Sequence, residues 1–341
     1  MSSSSNRSPM LPMETSLELS RWREKPQGVA YRRWVIASLG IRHLTRLKFF
    51  RILLFVGWAI ALLVASTAFC FSQAVANGGW LETYAAQLGP RVGAVAQATG
   101  ALILLYPDIC VGGLFTLLFW FQASVAMILT LFALTLIIPG LVTRDRSSNA
   151  LTIYLSRPLT TGDYLLGKLG TITTVILLLW TGPLLVSWLA AMLLSPSKDF
   201  LIYSFSPLLH ALLFNLIALA ALAPIALGIS ALVKSSAGTI LSWLAAWLIL
   251  SVIAHAPHSP AILRHASFTY DLDQVRSAVF RPGEALIKAG RDLPMMNKEL
   301  GSSLERVGRR VESKQTRNSV IGLGVLVLLS SAVSLRKLRP E

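Results

Sequence analysis

Cysteine is scarce in this chain: two residues in 341, Cys70 and Cys110. So few exclude a disulfide framework, and their spacing excludes a cysteine-based metal site. Charge is scarce too, 14% of residues against 54% hydrophobic ones, and mean hydropathy is +0.62. One soluble core of this length cannot enclose so many apolar side chains, which rules out an ordinary cytosolic globule. Acidic residues number 16 against 31 basic ones, for a formal charge of +15. That sign points to nucleic acid or to an anionic membrane surface. Long uncharged apolar runs decide for membrane lipid and against nucleic acid.

A hydrocarbon core about 30 Å thick takes roughly 20 helical residues, whose backbone polar groups must satisfy one another. Six stretches qualify: 52–73, 112–138, 169–194, 206–233, 237–254 and 319–335. His255, Pro257 and Pro260 close the fifth, and Arg336-Lys337-Leu338-Arg339 stops the sixth. The expected fold class is therefore an all-α integral membrane protein with six transmembrane helices. Nothing near Met1 reads as a secretory signal, because the first apolar run begins only after about fifty residues. Placing residues 1–51, 140–168, Lys234 and 336–341 on the cytoplasmic side collects eighteen Lys and Arg there. The opposite loops before the fifth span carry only Arg91 and Lys198, so the positive-inside rule puts both termini in the cytoplasm.

Residues 257–318 then fall outside as a mixed-charge helical segment, although eleven basic and seven acidic residues lie between Arg264 and Arg317. Within it, Asp292-Leu293-Pro294 reads as a helix start, and Met296, Leu300, Leu304, Val307 and Val311 as one amphipathic stripe. Such a stripe lies on lipid or on the spans, or meets an outer-face partner.

The loop between the second and third spans mixes charged and apolar residues. Pro139-Gly140 is expected to stop the second span, and Asp145 to Ser148 to cap a short helix presenting Leu151, Tyr154 and Leu155 on one face. Arg157-Pro158 breaks that helix, and Thr161-Gly162-Asp163 offers a new cap ahead of Tyr164 and Lys168. A short ridged helix with charges at both ends suits insertion into a groove on another protein.

The order Asp145, Arg146, Asn149, Leu151, Leu155, Ser156, Arg157, Pro158, Tyr164, Leu166, Gly167, Lys168 resembles the first cytoplasmic loop of the permease subunits of ABC-2 type ABC transporters. The likeness extends loosely over the basic segment before the first span and the six-span layout, so ABC-2 type permease architecture is the expected fold. The chain departs from that pattern in three places. Asn149 stands where many members have glycine, Thr161 where a basic residue is common, and the stretch before the sixth span is long and charged.

The resemblance implies a non-catalytic subunit of an exporter in the bacterial cytoplasmic (inner) membrane. It implies as partners cytoplasmic ABC ATPase subunits, which bind ATP and Mg, and a second permease copy or a related chain. It implies no cofactor in this chain. The docking set for the ATPase would be Asp145, Arg146, Asn149, Leu151, Tyr154, Leu155, Arg157, Pro158, Asp163, Tyr164 and Lys168. The alternatives are a non-transporting membrane scaffold that recruits a soluble partner and a membrane enzyme using the histidines after the fifth span.

Other features carry competing readings. Gly162 to Lys168 fits G-x-x-x-x-G-K, yet Leu169 stands where a P-loop needs Ser or Thr for Mg²⁺, and no strand precedes it. Tyr31 to Arg51 reads as a basic lipid anchor or, through the resemblance, as an interfacial helix framing the ATPase dock. Cys70 and Cys110 read as small apolar residues, with a disulfide between them conceivable. His255, His258 and His265 read as interfacial histidines ahead of metal ligands, and Asp108 as a loop residue at the membrane edge. The first five spans contain no Asp, Glu, Lys or Arg, unlike an ion-coupled carrier. Neutral residues such as Gln122, Ser187, Asn215, Ser230, Trp120 and Trp243 either face a pathway or tie helices together.

Overall fold

The computed structural model describes residues 28–73, 87, 89–148, 160–195, 198–256, 258–293, 298–312 and 315–337. Every regular element among them is helical. In order these are α1 (Val29–Arg46), α2 (Lys48–Gln73), α3 (Pro90–Leu105), α4 (Pro107–Ser147), α5 (Thr161–Leu193) and α6 (Asp199–Leu232). There follow α7 (Ser236–His255), α8 (Ala261–Ala266), α9 (Phe268–Phe280), α10 (Pro282–Asp292), α11 (Lys298–Val311) and α12 (Thr316–Lys337).

Six helices, α2, α4, α5, α6, α7 and α12, are long and apolar enough to cross a membrane, and each contains one of the expected spans almost entirely. Burial orders them. The most apolar stretch of α4 is 67% buried and that of α6 56%, against 17% for the last span, so α4 and α6 form the centre and α12 the rim. The apolar flanks left open on α2, α7 and α12 are stable only against lipid or another apolar surface.

Pro139-Gly140 does not stop the second span. The helix passes through a π-turn, Pro139–Thr143, and runs on to Ser147. Proline removes a donor from the ladder, and a hydroxyl of α6 repairs the break. Ser230 Oγ accepts from Val142 N–H at 3.0 Å and Thr143 N–H at 3.2 Å, and donates to the Ile138 carbonyl at 2.7 Å. Thr143, fully buried, also lies 3.0 Å from the Thr239 hydroxyl of α7. Helices in lipid need such repair from neighbours, because no water is there to supply it. Asp145 to Ser148, expected to cap a separate helix, are thus the last turn of α4 and its cap.

Two further expectations change. Between the first and second spans, where a loop was expected, Pro90–Leu105 is helical. Asp108 is not in a loop either: Pro107 opens α4, and Asp108 sits in its first turn.

The segment 257–318 departs furthest from expectation. In place of an outer loop with one amphipathic helix it folds into α8 to α11, and α9 enters the bundle. Phe268 stacks on Trp243 of α7 at 5.5 Å, Arg276 lies over Trp120 of α4 at 4.9 Å, and Phe280 meets Phe214 of α6 at 5.9 Å. Those partners lie in the interiors of their spans, so α9 occupies the thickness of the bundle without crossing it. Its apolar face buries Leu272, Val275 and Phe280, which is why a short helix with charges is held there.

Asp292, expected as a helix start, instead ends α10. Helices α10 and α11 pair as a hairpin whose crossing is set by glycine. A Cβ built on Gly283 would lie 2.6 Å from the Gly308 carbonyl oxygen, and one on Gly290 2.8 Å from that of Gly301. The two helices touch through Gly301, Leu304, Gly308 and Glu312; of these only Leu304 belongs to the expected stripe, and Val307 stays 47% exposed. Met296 lies outside the described residues.

Candidate functional site

The C-terminal end of α4, the start of α5 and helix α1 meet in a polar clamp. Thr160 caps α5 through a capping box: its Oγ1 accepts from Asp163 N–H at 3.1 Å, and Asp163 Oδ2 accepts from Thr160 N–H at 3.3 Å. The cap is thus Thr160, one residue before the expected Thr161. The other carboxylate oxygen of Asp163 receives the Arg33 guanidinium of α1, with Nε at 2.9 Å. One carboxylate therefore starts a span and anchors the preceding basic helix to it. Glycines bring the helices together: a Cβ on Gly167 would lie 2.9 Å from the Ile36 side chain, and one on Gly40 2.6 Å from Thr171 Oγ1.

Two turns into α5, Lys168 Nζ pairs with Asp145 Oδ2 at 2.8 Å and donates to the Gly140 carbonyl at 2.9 Å. The Tyr164 hydroxyl lies 2.7 Å from the same Asp145 oxygen and 2.8 Å from the Leu141 carbonyl, its single proton serving one acceptor at a time. Tyr164 is fully buried, and the side chains of Lys168 and Asp145 are only 13% and 19% exposed. Arg146 Nη1 donates to the Ala231 carbonyl of α6 at 3.2 Å. Beside the clamp a cleft of about 240 Å³ opens between Ile36 and His43 of α1, Leu136 and Arg144 of α4, and Lys168 of α5.

Of the expected docking set, the structure thus brings together Asp145, Tyr164 and Lys168, with Asp163 and Arg146 tied to neighbouring helices. Asn149, Leu151, Tyr154, Leu155, Arg157 and Pro158 lie outside the described residues. The Gly162 to Leu169 stretch is helical throughout: from Tyr164 on its amide groups are spent on the helix and that of Asp163 on the Thr160 cap, so no loop of free amides is there to cradle phosphate. Sequence reasoning named Ser230 as a neutral span residue and Arg33 only within the basic segment 31–51, and it missed both contacts, Arg33–Asp163 and the Thr143–Ser230–Thr239 cluster. No local signal marks either, since Arg33 lies 130 residues from its partner and Thr143 lies 87 from Ser230.

The chain matches no protein-family model, and no curated protein sequence is significantly similar to it. The chemistry of its sites therefore rests on its own geometry.

Helix α9 supplies a second polar cluster: the first five expected spans hold no Asp, Glu, Lys or Arg, and α9, which is none of them, brings such groups in among the helices. Asp271 is wholly buried, with Oδ1 2.7 Å from His265 Nδ1. Arg276 is 7% exposed, pairs with Asp273 and lies over the Trp120 ring. Burial raises the Asp271 pKa above its ordinary 3.8, and the His265 contact works against that rise. The folded state consequently holds this proton more tightly than the unfolded chain does. Its contribution to stability is full below the ordinary value and is lost as pH rises through the raised one. Thermal unfolding in detergent, followed from acid to neutral pH, should show a falling midpoint that is flatter in Asp271→Asn. Identical slopes would clear Asp271 of any part in it.

The neutral polar residues of the spans mostly tie helices together. Trp243 Nε1 donates to the Leu131 carbonyl at 3.1 Å, Trp188 Nε1 to Ser204 at 2.9 Å, and Ser187 lies 3.4 Å from Gln122 Oε1. Among the described residues no three His, Cys, Asp or Glu side chains gather to hold a metal. Cys70 and Cys110 are free thiols.

Proposed function

We propose that this chain is the membrane-spanning permease subunit of an ABC-2 type exporter, driven by ATP hydrolysis on separate cytoplasmic ATPase subunits. The clamp end is then cytoplasmic, both termini lie on that side, and the membrane is the bacterial inner one. A second permease copy or a related chain completes the pathway. This chain itself carries no cofactor and no catalytic group; ATP and Mg belong to the partner.

The observation that carries the reading is the clamp formed by Asp145, Tyr164 and Lys168, three residues of the sequence that resembles the family's first cytoplasmic loop. Residues 149–159 enter and leave through the last turn of α4 and the cap of α5. The clamp ties those two ends to each other, and Arg33 ties the second to α1. A push on the loop is delivered to two spans and an interfacial helix at once. That is the mechanical requirement for a bistable bundle shifted by a partner's closure.

Arg157→Glu tests it. In membranes co-expressing the ATPase of the same gene neighbourhood, capture of that ATPase should fall by about tenfold, equivalent to roughly 1.4 kcal/mol, with membrane insertion unchanged. Undiminished capture would remove the loop from the dock. ATP splitting by the purified chain alone would end the exporter reading in this form.

A further inference from the structure

At the end of the bundle away from the clamp, α4, α6, α9 and α10 line an open cavity of about 430 Å³. Its rim alternates in charge: Asp108 of α4, Lys288 and Glu284 of α10, and Arg281 at the α9–α10 junction. Its wall is bare on one side, where Gly112 and Gly113 of α4 face it, and apolar on the other, where Ile202 of α6 and Phe280 close it.

We propose that this cavity binds the headgroup of a zwitterionic phospholipid with a primary ammonium, its phosphate on Lys288 and Arg281 and its ammonium on Asp108 and Glu284.

Four observations converge on that ligand. First, the rim pairs are easily opened. Lys288 and Asp108 lie 2.7 Å apart but are 53% and 48% exposed, and Arg281 and Glu284 are 66% and 61% exposed at 3.7 Å. Ion pairs so wet contribute little, so a ligand bearing both charges can take them over. An anionic headgroup would meet two carboxylates there without compensation.

Second, Arg281 adopts a left-handed backbone, φ 50° and ψ 47°, an uncommon conformation for a residue with a side chain. That turn sets a guanidinium on the cavity rim. Its cost is borne between two helices that could have been joined by glycine.

Third, the cavity lies at headgroup depth. Asp108 and Ile202 fall in the first turns of two spans, where the hydrocarbon gives way to polar groups.

Fourth, an apolar track starts at Ile202 on the cavity wall. Ile202, Phe205, Leu209, Leu213 and Leu216 are all exposed, at spacings of 3, 4, 4 and 3 along one face of α6. The track runs about 20 Å, longer than the roughly 15 Å half-thickness of the hydrocarbon core. A soluble phosphorylated amine would leave it unused.

The test uses the full chain in detergent, with palmitoyl-oleoyl phosphatidylethanolamine as probe and native mass spectrometry as readout. One lipid per chain should be retained, preferred by about tenfold over phosphatidylglycerol with the same acyl chains. A Cβ on Gly113 would meet nothing within 4 Å, so Gly113→Leu projects into the cavity without clashing at its root, and leucine also favours the helix. That variant should lose the retained lipid while its lipid-free melting is unchanged. Should it melt early, the Asp108→Asn/Lys288→Gln pair, which fills no space, serves in its place and should lose the headgroup preference.

Equal retention by the variant used, equal binding of phosphatidylglycerol, or competition by free phosphorylethanolamine at lipid-like concentrations would each overturn the site. No arm involves ATP, so its outcome is independent of the exporter reading.

Discussion

Valine at both Gly290 and Gly301 is expected to open the α10–α11 hairpin while leaving the six spans assembled. Each added Cβ would stand 2.7 to 2.8 Å from a backbone carbonyl of the facing helix, which cannot rotate away as a side chain can. Overpacking of this kind costs about 1–3 kcal/mol per site. The ties across the hairpin are weaker than that. Arg291 and Glu305 lie 3.2 Å apart but are 57% and 28% exposed, and such pairs are worth about 0–1 kcal/mol.

The readouts separate cleanly, because all nine tryptophans lie outside residues 282–312. Proteolysis within the hairpin should accelerate, while the tryptophan-detected unfolding of the spans stays in place. A hairpin equally resistant with both valines would mean that the helices do not approach through glycine. Valine at Gly283 and Gly308 should act likewise, for the same carbonyl contacts occur there at 2.6 and 2.8 Å.

Lys168→Met carries the second large effect, a loss of about 3 kcal/mol typical of stranding one charge of a buried pair. Asp145 would keep the Tyr164 hydroxyl alone, and the Gly140 carbonyl would lose its donor. Adding Asp145→Asn should recover much of the loss, since neither charge is then left without its partner. Strictly additive single and double variants in detergent denaturation would show that the two groups are uncoupled and that no clamp exists. Under the exporter reading, Lys168→Met also slackens the joint between α4 and α5 and should lower transport more than it lowers ATPase capture.

Legibility in the sequence tracked how local each feature is. The six spans were readable because length and hydropathy belong to contiguous residues; every expected stretch falls within or almost within an observed helix. The proline at 139 misled because its standard meaning, a stop, assumes that no neighbour can repair the ladder. Ser230 does, from another span. The stripe of apolar residues in α11 misled for a different reason. Counting large side chains overlooks glycine, yet Gly283, Gly290, Gly301 and Gly308 stand in two pairs seven residues apart, a signal that was present.

The candidate site divides in the same way. Asp163 was recognisable as part of a helix start, because a capping box spans only three residues. Asp145 and Lys168 were recognisable as site residues only through the motif, while their mutual contact needed the fold. Arg33 was legible only as one charge of the basic segment 31–51, and its partner was not.

Composition and hydropathy alone determined that this chain carries six helices long and apolar enough to cross a bilayer, since burial in lipid depends on the summed apolar surface of each run. Only the tertiary structure decided that Asp271 and Arg276 lie among the spans, that Ser230 carries the second span past Pro139, and that Arg33 holds α1 to α5. The last two are pairings between residues far apart in the chain, and the first depends on where α9 packs. In a medium without water each buried polar group must find whichever partner the packing brings within reach, and the identity of that partner is a property of the packing.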